Sequence, residues 1–152
     1  MRILILGLAT LSLAVLAPAA GAQAPSVTGR WLSEDRKGVI EIYPCGDKVC
    51  GKLAWLAEPN ENGKPKLDHN NPDPALRQQP LCGLVMLRGF HQTEPNRWGD
   101  GLIYNPENGK NYHATLTLDG NVLKLRGYVG IPLFGETQTW TRADPKLKGC
   151  PG

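Results

Sequence analysis

The sequence predicts an all-β fold, an up-and-down antiparallel β-barrel of about eight strands with one long Pro-rich loop. Short segments of alternating or β-branched apolar residues recur along the chain, as expected for half-buried strands. Turn residues separate these segments, and the 152-residue chain contains 18 Gly and 13 Pro, which are unfavourable inside helices. Successive short strands favour an up-and-down barrel over a sandwich, and a closed barrel leaves no exposed sheet edge.

The strand pattern recurs in several separate segments. In chain order they are Gly29–Leu32, Val39–Tyr43, Val49–Leu56, Leu84–Phe90, Gly101–Tyr104, Tyr112–Leu118, Val122–Val129 and Glu136–Arg142. Gly46-Asp47-Lys48 and Asp119-Gly120-Asn121 are hairpin turn signals between neighbouring strands. In the last strand Thr137, Thr139 and Thr141 share one face, because side chains alternate along a strand.

The segment 57–80 interrupts the strand pattern. It is rich in Pro, Asn and Asp, which predicts a long loop with a packing or functional role. Within it, Asp73 is placed to cap a short helix that begins at Pro74. Asp68, Asn70 and Asp73 follow part of a calcium-loop order, but Pro72 stands where a ligand is needed, which favours a network of local turns instead.

The N-terminal segment has the order of a secretory signal peptide. Arg2 supplies a positive charge, Ile3–Ala17 is apolar, and small residues precede a cleavage site after Ala22. The apolar run is shorter than the roughly 20 residues that span a bilayer. We therefore expect a signal peptide over 1–22 and one domain over 23–152, exported to the periplasm or secreted and not membrane-spanning after cleavage.

The four cysteines predict disulfides, because an even number in an exported protein usually pairs. We favour Cys45–Cys50, since Gly46-Asp47 turns the chain between them, and Cys82–Cys150 follows by elimination. The second bridge would attach the C-terminal tail to the barrel. A metal site is the alternative, but C-x4-C is not the usual C-x2-C zinc spacing.

Charge and residue content exclude several functions. The net charge of +3, or +2 without Arg2, is too low for a typical nucleic-acid-binding protein. Ser26 and Ser33 are the serines beyond the signal segment, and G-x-S-x-G and phosphate-loop motifs are missing from the sequence. The three histidines are scattered, so we predict no metal, no cofactor and no identifiable catalytic residue.

Two sets of residues carry a resemblance to known families. Gly29-Arg30-Trp31 opens the first strand, and Arg142 ends the last, which resembles the lipocalins and related calycin barrels, where the Arg stacks on the Trp and closes one end. The strings D-x-x-N-P-D-P-x-x-R (68–77) and I-Y-N-P-x-N-G-K-x-Y (103–112) resemble the exported bacterial family "domain of unknown function 2147". That resemblance implies a lipocalin-like barrel and no agreed activity.

Several residues are candidate ligand contacts. Tyr104, Lys110 and Tyr112 flank a predicted turn at one rim, and the two tyrosines would pair across it if the register allowed. Arg77 lies in the long loop, which is a possible lid over the barrel mouth where Arg77 would meet an anionic ligand. The remaining candidate ligand contacts are Trp31, Arg142 and Arg126.

Arg126 has two interpretations. In Val122–Val129 it shares a face with Lys124, opposite Leu123 and Leu125. If that face lined the barrel, Arg126 would need Asp100, Glu136 or a ligand carboxylate as its partner. If that face is solvated, which we favour, Arg126 has no role in ligand binding.

We predict a binding module that holds a small apolar or anionic ligand in the barrel mouth. One alternative is a structural or interaction protein of the envelope with a filled barrel. A less favoured one is an enzyme acting on an envelope lipid or glycan. A concave interior larger than about 300 Å3 would favour the binding module, and the oligomeric state stays open.

Overall fold

A computed structural model describes residues 26–150. The predicted signal peptide and the residues just after it lie outside this range. Within it, eight antiparallel strands close into a barrel in which the last strand pairs with the first. Neighbours in the chain are neighbours in the barrel, which confirms the predicted up-and-down fold.

The strands of the barrel are bounded as follows: β1 Gly29–Leu32, β2 Gly38–Cys45, β3 Lys48–Leu56, β6 Val85–Glu94, β7 Arg97–Asn105, β8 Lys110–Asp119, β9 Val122–Tyr128 and β10 Glu136–Arg142. Two short strands, β4 (Asn60–Glu61) and β5 (Lys64–Pro65), form a separate hairpin. One-turn 3-10 helices span Pro74–Leu76 and Pro132–Phe134.

Two features of the chain differ from the predictions. The segment predicted as a loop contains the β4–β5 hairpin, whose turn is Asn62-Gly63 with positive φ at both residues, as a type I′ turn requires. The β6–β7 hairpin extends to Glu94 and Arg97, well beyond the predicted strand ends. Its tip consists mainly of exposed polar residues, so no apolar alternation marks it in the sequence.

One end of the barrel is closed by packed side chains. The interior there contains Trp31, Phe90, Leu116, Leu123 and Trp140, each 2 % exposed or less. Phe90 crosses the interior over Gly101, where an added Cβ would lie 2.4 Å from the ring. Gly101 on β7 therefore leaves room for the ring of Phe90 from β6.

Both predicted disulfides are present, Cys45–Cys50 and Cys82–Cys150. Cys82 lies just before β6 and Cys150 at the end of the tail, so the second bridge attaches the tail to the barrel. The predicted cap is also confirmed, because the Asp73 carboxylate accepts the N–H of Ala75 at the start of the first 3-10 helix, with Pro74 in its first turn.

Candidate functional site

The end of the barrel opposite the packed aromatic cluster contains a cavity of about 1120 Å3 that opens to solvent. The strands contribute apolar side chains to its wall, namely Ile40, Leu53, Leu56, Met86, Ile103, Leu125 and Trp140, and polar and charged side chains complete the lining. The volume lies at or above the upper end of the range for small-molecule sites, roughly 300–1,000 Å3. The barrel is thus filled at one end and hollow at the other.

The inward face of β10 explains this difference. Glu136, Gln138 and Trp140 alternate on that face, opposite Gly127, Leu125 and Leu123 of β9. From the closed end to the mouth, the facing pairs are therefore Trp140–Leu123, Gln138–Leu125 and Glu136–Gly127. Each pair is smaller or more polar than the one before it. At Gly127 an added Cβ would meet Ile103 and Tyr112 at 3.8 and 3.9 Å, so the missing side chain is part of the cavity.

Polar groups lie above this apolar wall. The Nε1 of Trp140 donates to the Oε1 of Gln138 at 3.0 Å, which fixes the amide at the boundary between the packed end and the cavity. Glu136 is one inward position nearer the mouth and also lines the cavity. A ligand entering the cavity would meet the carboxylate of Glu136 before the amide of Gln138.

The charged residues at the mouth are mainly acidic. The cavity is lined by the carboxylates Asp35, Glu58, Glu107 and Glu136 and by two lysines, Lys37 and Lys66. Lys66 pairs with Glu58 at 3.4 Å. Burial would raise the pKa of Asp35, but hydrogen bonds from the Ser33 hydroxyl and the Lys37 N–H, with the Lys37 charge, lower the pKa below its usual value. Asp35 therefore stays anionic at neutral pH.

The long loop is attached to the barrel through a buried carboxylate. Asp68 is fully buried, and its oxygens accept hydrogen bonds from the Tyr104 hydroxyl at 2.7 Å, the Asn71 amide at 2.7 Å and the Gln79 amide at 3.0 Å. These neutral donors compensate for the water that the carboxylate has lost. The first residue of the D-x-x-N-P-D-P-x-x-R string is thus the centre of a structural network.

A second contact joins the same loop to the β7–β8 turn. The amide of Asn70 donates to the carbonyls of Pro106 and Glu107, both at 3.0 Å. Gly109 has φ of 70°, and an added Cβ there would lie 1.9 Å from the Asn70 carbonyl oxygen. Only glycine fits this turn, so the two motif strings that carry the family resemblance pack against each other.

The Tyr104 hydrogen bond gives a stability prediction. We expect Tyr104→Phe to lower the free energy of unfolding by about 1–3 kcal/mol, because the buried Asp68 loses one of its donors. Tyr112→Phe is the matched control, since the Tyr112 hydroxyl accepts an exposed hydrogen bond from Asn108 and its loss is expected to cost less than about 0.5 kcal/mol. Urea unfolding of both variants measures this difference, and equal costs would contradict the role assigned to Asp68.

The same pair predicts a pH dependence. Burial, with Asp68 nearby, raises the pKa of Tyr104 to about 12, whereas the unfolded chain keeps a value near 10. The unfolded state therefore ionises first, and the stabilisation by this group falls as the pH rises between about 10 and 12. We expect the stability gap between the wild-type protein and Tyr104→Phe to narrow over that range, as measured by urea unfolding at each pH.

Tyr112, which shares the inward face with Ile103, lines the cavity. Tyr104 also borders the cavity, but its ring lies on the other face, where its hydroxyl donates to Asp68. The two tyrosines do not pair across the turn, because Tyr104 is opposite Asn111 and Tyr112 is opposite Ile103. This register places the two rings on opposite faces of the sheet, and that pairing hypothesis was wrong. Lys110 lies at the start of β8, is exposed, and is outside the cavity lining.

The arginine candidates lie elsewhere on the barrel. Arg77 donates from Nε to the Asn71 carbonyl at 2.7 Å within the long loop. Arg142 stacks on Trp31 at 3.7 Å from the ring and donates to the Thr28 carbonyl, which confirms the predicted stacking at the closed end. Neither Arg77 nor the Trp31–Arg142 pair lines the cavity.

Arg126 lies on the outer face of β9, as favoured, but it has partners. It donates to the carbonyls of Pro132 at 2.7 Å and Leu133 at 3.2 Å and to the Thr137 hydroxyl at 2.8 Å. The alternative of an inward Arg126 paired with Asp100 or Glu136 is therefore wrong. Arg126 supports the connection between β9 and β10.

Sequence reasoning missed Glu136 and Gln138 as cavity residues. Glu136–Arg142 alternates between a threonine face and a face with Glu136, Gln138 and Trp140, and the second face is the one that turns inward. Trp140 was the available signal, because a large aromatic residue in an alternating strand marks the buried face.

Residues 26–150 also bear on a metal site and on a membrane-spanning helix. No group of three or more His, Cys, Asp or Glu side chains is placed to hold a metal ion there. The three histidines are separate, with His69 at the cavity, His91 next to Asp100 at 3.2 Å and His113 stacked on Tyr128. In the same range no helix is long and apolar enough to cross a membrane.

The closed end, the Trp–Arg stack and the open cavity define the class as a lipocalin-like β-barrel. A solved structure titled "Protein HP1028 from the human pathogen Helicobacter pylori belongs to the lipocalin family" matches with a TM-score of 0.74 and 22% identity, covering 85% of this chain and 93% of that chain. At this identity the likeness shows the fold.

The family model described as "Uncharacterized protein conserved in bacteria (DUF2147)" matches residues 29–142. The chain belongs to this family, as the motif strings indicated. No curated protein matches the chain.

Proposed function

We propose that this protein is an exported lipocalin-like barrel, periplasmic or secreted, that binds a small ligand in its open end. The cavity of about 1120 Å3, with its apolar wall, is the observation that carries the proposal. A barrel that served purely as a structural module would be expected to fill its interior with side chains, as this one does around Trp31 and Phe90. The two disulfides support an oxidising compartment, in keeping with a signal peptide over 1–22.

We infer that the ligand has an apolar body and a neutral or cationic polar end. The apolar residues cover the inner wall, and Glu136 with Gln138 faces the same space. Gln138 keeps two amide N–H donors for a ligand, because Trp140 uses its oxygen. The candidate arginines Arg77, Arg126 and Arg142 donate to protein oxygens outside the cavity. The apolar alternative is therefore favoured over the anionic one.

An enzyme is less favoured. Asp35, His69 and Tyr112 all line the cavity, and residues of these types can serve acid–base chemistry when their pKa values are matched. The pKa of Asp35 is lowered, however, which makes it a weaker base and favours a permanently charged carboxylate.

The ligand preference is tested with decylamine, decanol and decanoate, which share one chain length and differ in head-group charge. We expect binding in the order amine, alcohol, acid, because Glu136 attracts the ammonium and repels the carboxylate. Glu136→Gln should weaken amine binding about fivefold, as expected for a solvent-exposed ion pair, and leave decanol binding unchanged. Competition with a fluorescent apolar probe measures all three affinities.

Glu61→Gln is the matched control, because Glu61 lies in the β4–β5 hairpin away from the cavity lining. It should change none of the affinities. Tighter binding of decanoate than of decylamine would overturn the assigned polarity, and failure of all three to displace the probe would overturn ligand binding itself.

A further inference from the structure

The connection between β9 and β10 exposes a group of large apolar side chains. Val129, Ile131, Leu133 and Phe134, which we name the apolar tip, are 73%, 53%, 74% and 80% exposed. They are the most exposed of the large hydrophobic side chains recorded for residues 26–150. Contiguous exposed apolar residues of this kind usually mark a contact with a membrane or another protein.

The apolar tip is held in a defined shape. Pro132–Phe134 forms a 3-10 turn in which the Phe134 N–H donates to the Ile131 carbonyl and the Gly135 N–H to the Pro132 carbonyl. Arg126 holds the carbonyls of Pro132 and Leu133 from the outer face of the barrel. These three carbonyls and two N–H groups are thus partnered within the protein, and the apolar side chains are exposed.

The size of the apolar tip argues against a protein partner. A stable protein–protein interface involves about 20–30 residues on each side, whereas here four apolar side chains come from one short connection. A lipid surface makes no such demand, because apolar side chains enter the boundary between head groups and acyl chains to a depth of about 5–10 Å.

The outer face of β9, next to the apolar tip, carries basic side chains, whereas Glu136 follows the tip and lines the cavity. From Val122 to Gly135 the chain carries two cations, Lys124 and Arg126, and no carboxylate. Lys124, Arg126 and Tyr128 alternate on the outer face of β9, opposite Thr117, Thr115 and His113. Lys124 contacts Asp119 at 3.7 Å, but both side chains are half or more exposed, so that pair is weak. Basic residues and tyrosine next to apolar side chains are typical of the membrane interface.

We propose that the apolar tip docks the barrel onto a lipid bilayer surface. Val129 and Phe134 also line the cavity, so docking would bring the mouth of the cavity to the lipid. Passage of a ligand between lipid and cavity would rest on the proposed function, whereas the docking itself does not.

The test is flotation of the purified protein with vesicles of phosphatidylglycerol and phosphatidylcholine, and with vesicles of phosphatidylcholine alone. We expect binding to both, because the apolar side chains supply the contact with the lipid. The double variant Ile131→Ser/Leu133→Ser should reduce the partition coefficient about tenfold or more, since it removes two apolar side chains from the lipid contact. Neither residue lines the cavity, so affinity for a soluble fluorescent probe should stay the same.

Leu76→Ser/Leu102→Ser is the matched control, because these leucines are 44% and 40% exposed away from the apolar tip. It should bind vesicles like the wild-type protein. Absence of wild-type binding to either vesicle, or equal binding by the Ile131/Leu133 variant, would overturn the docking proposal. If the wild-type protein did not bind the soluble probe, this would count against the cavity proposal, and the result of the docking test would still hold.

Discussion

Trp31→Ala is expected to lower the free energy of unfolding by about 3–5 kcal/mol, the range for removing a buried aromatic side chain. Trp31 is fully buried, its Nε1 donates to the Val27 carbonyl at 2.8 Å, and Arg142 covers its ring. Small domains have a total stability of about 5–15 kcal/mol, so this loss is a large fraction of the whole.

Two further variants keep this prediction measurable if Trp31→Ala does not fold. Trp31→Phe keeps an aromatic ring under Arg142 and should cost clearly less than the alanine variant. Trp55→Ala is the matched control, because Trp55 is partly exposed and lies outside the packed cluster. Urea unfolding measures all three. A cost for Trp55→Ala equal to that of Trp31→Ala would contradict the account of the closed end.

The second large effect is expected at the Cys82–Cys150 bridge. The bridged cysteines are 68 residues apart, and in the chain-entropy model such a loop contributes about 4 kcal/mol. The Cys45–Cys50 bridge spans 5 residues and contributes about 2 kcal/mol in the same model. We therefore expect Cys82→Ser/Cys150→Ser to destabilise the protein more than Cys45→Ser/Cys50→Ser.

Denaturant unfolding of both double serine variants measures this difference. The Cys82–Cys150 variant also frees the tail, where the Cys150 N–H donates to the Ala54 carbonyl at 2.8 Å and Arg30 donates to the Leu147 carbonyl. Faster proteolysis after Arg142 should accompany the loss of stability. A larger cost for the Cys45–Cys50 variant would show that the tail adds little to the fold.

The fold was predictable because its signals are local. The alternation in Tyr112–Leu118 and the turn at Asp119–Asn121 specify a hairpin without knowledge of the rest of the chain. The Trp31–Arg142 contact was predictable from a different source, the likeness to lipocalins, because nothing local connects two residues at opposite ends of the domain.

The site was less predictable, because it depends on which face of each strand turns inward. In Glu136–Arg142 one face carries Thr and the other carries Glu, Gln and Trp. The alternation by itself does not say which of the two faces is buried. The role of Asp68 was also hidden, since its partner Tyr104 lies 36 residues away. A buried carboxylate with neutral donors has no sequence pattern of its own.

Native mass spectrometry tests the central claim, that the open end of the barrel holds a small ligand. The protein is purified under mild conditions from cells that produce it, together with Gly127→Leu, whose side chain would enter the cavity next to Ile103 and Tyr112. Thr139→Leu, on the outer face of β10, is the matched control. We predict a bound small molecule on the wild-type protein and on Thr139→Leu, and a smaller bound fraction on Gly127→Leu. A bare wild-type mass, even after incubation with envelope lipid extract, would contradict the account.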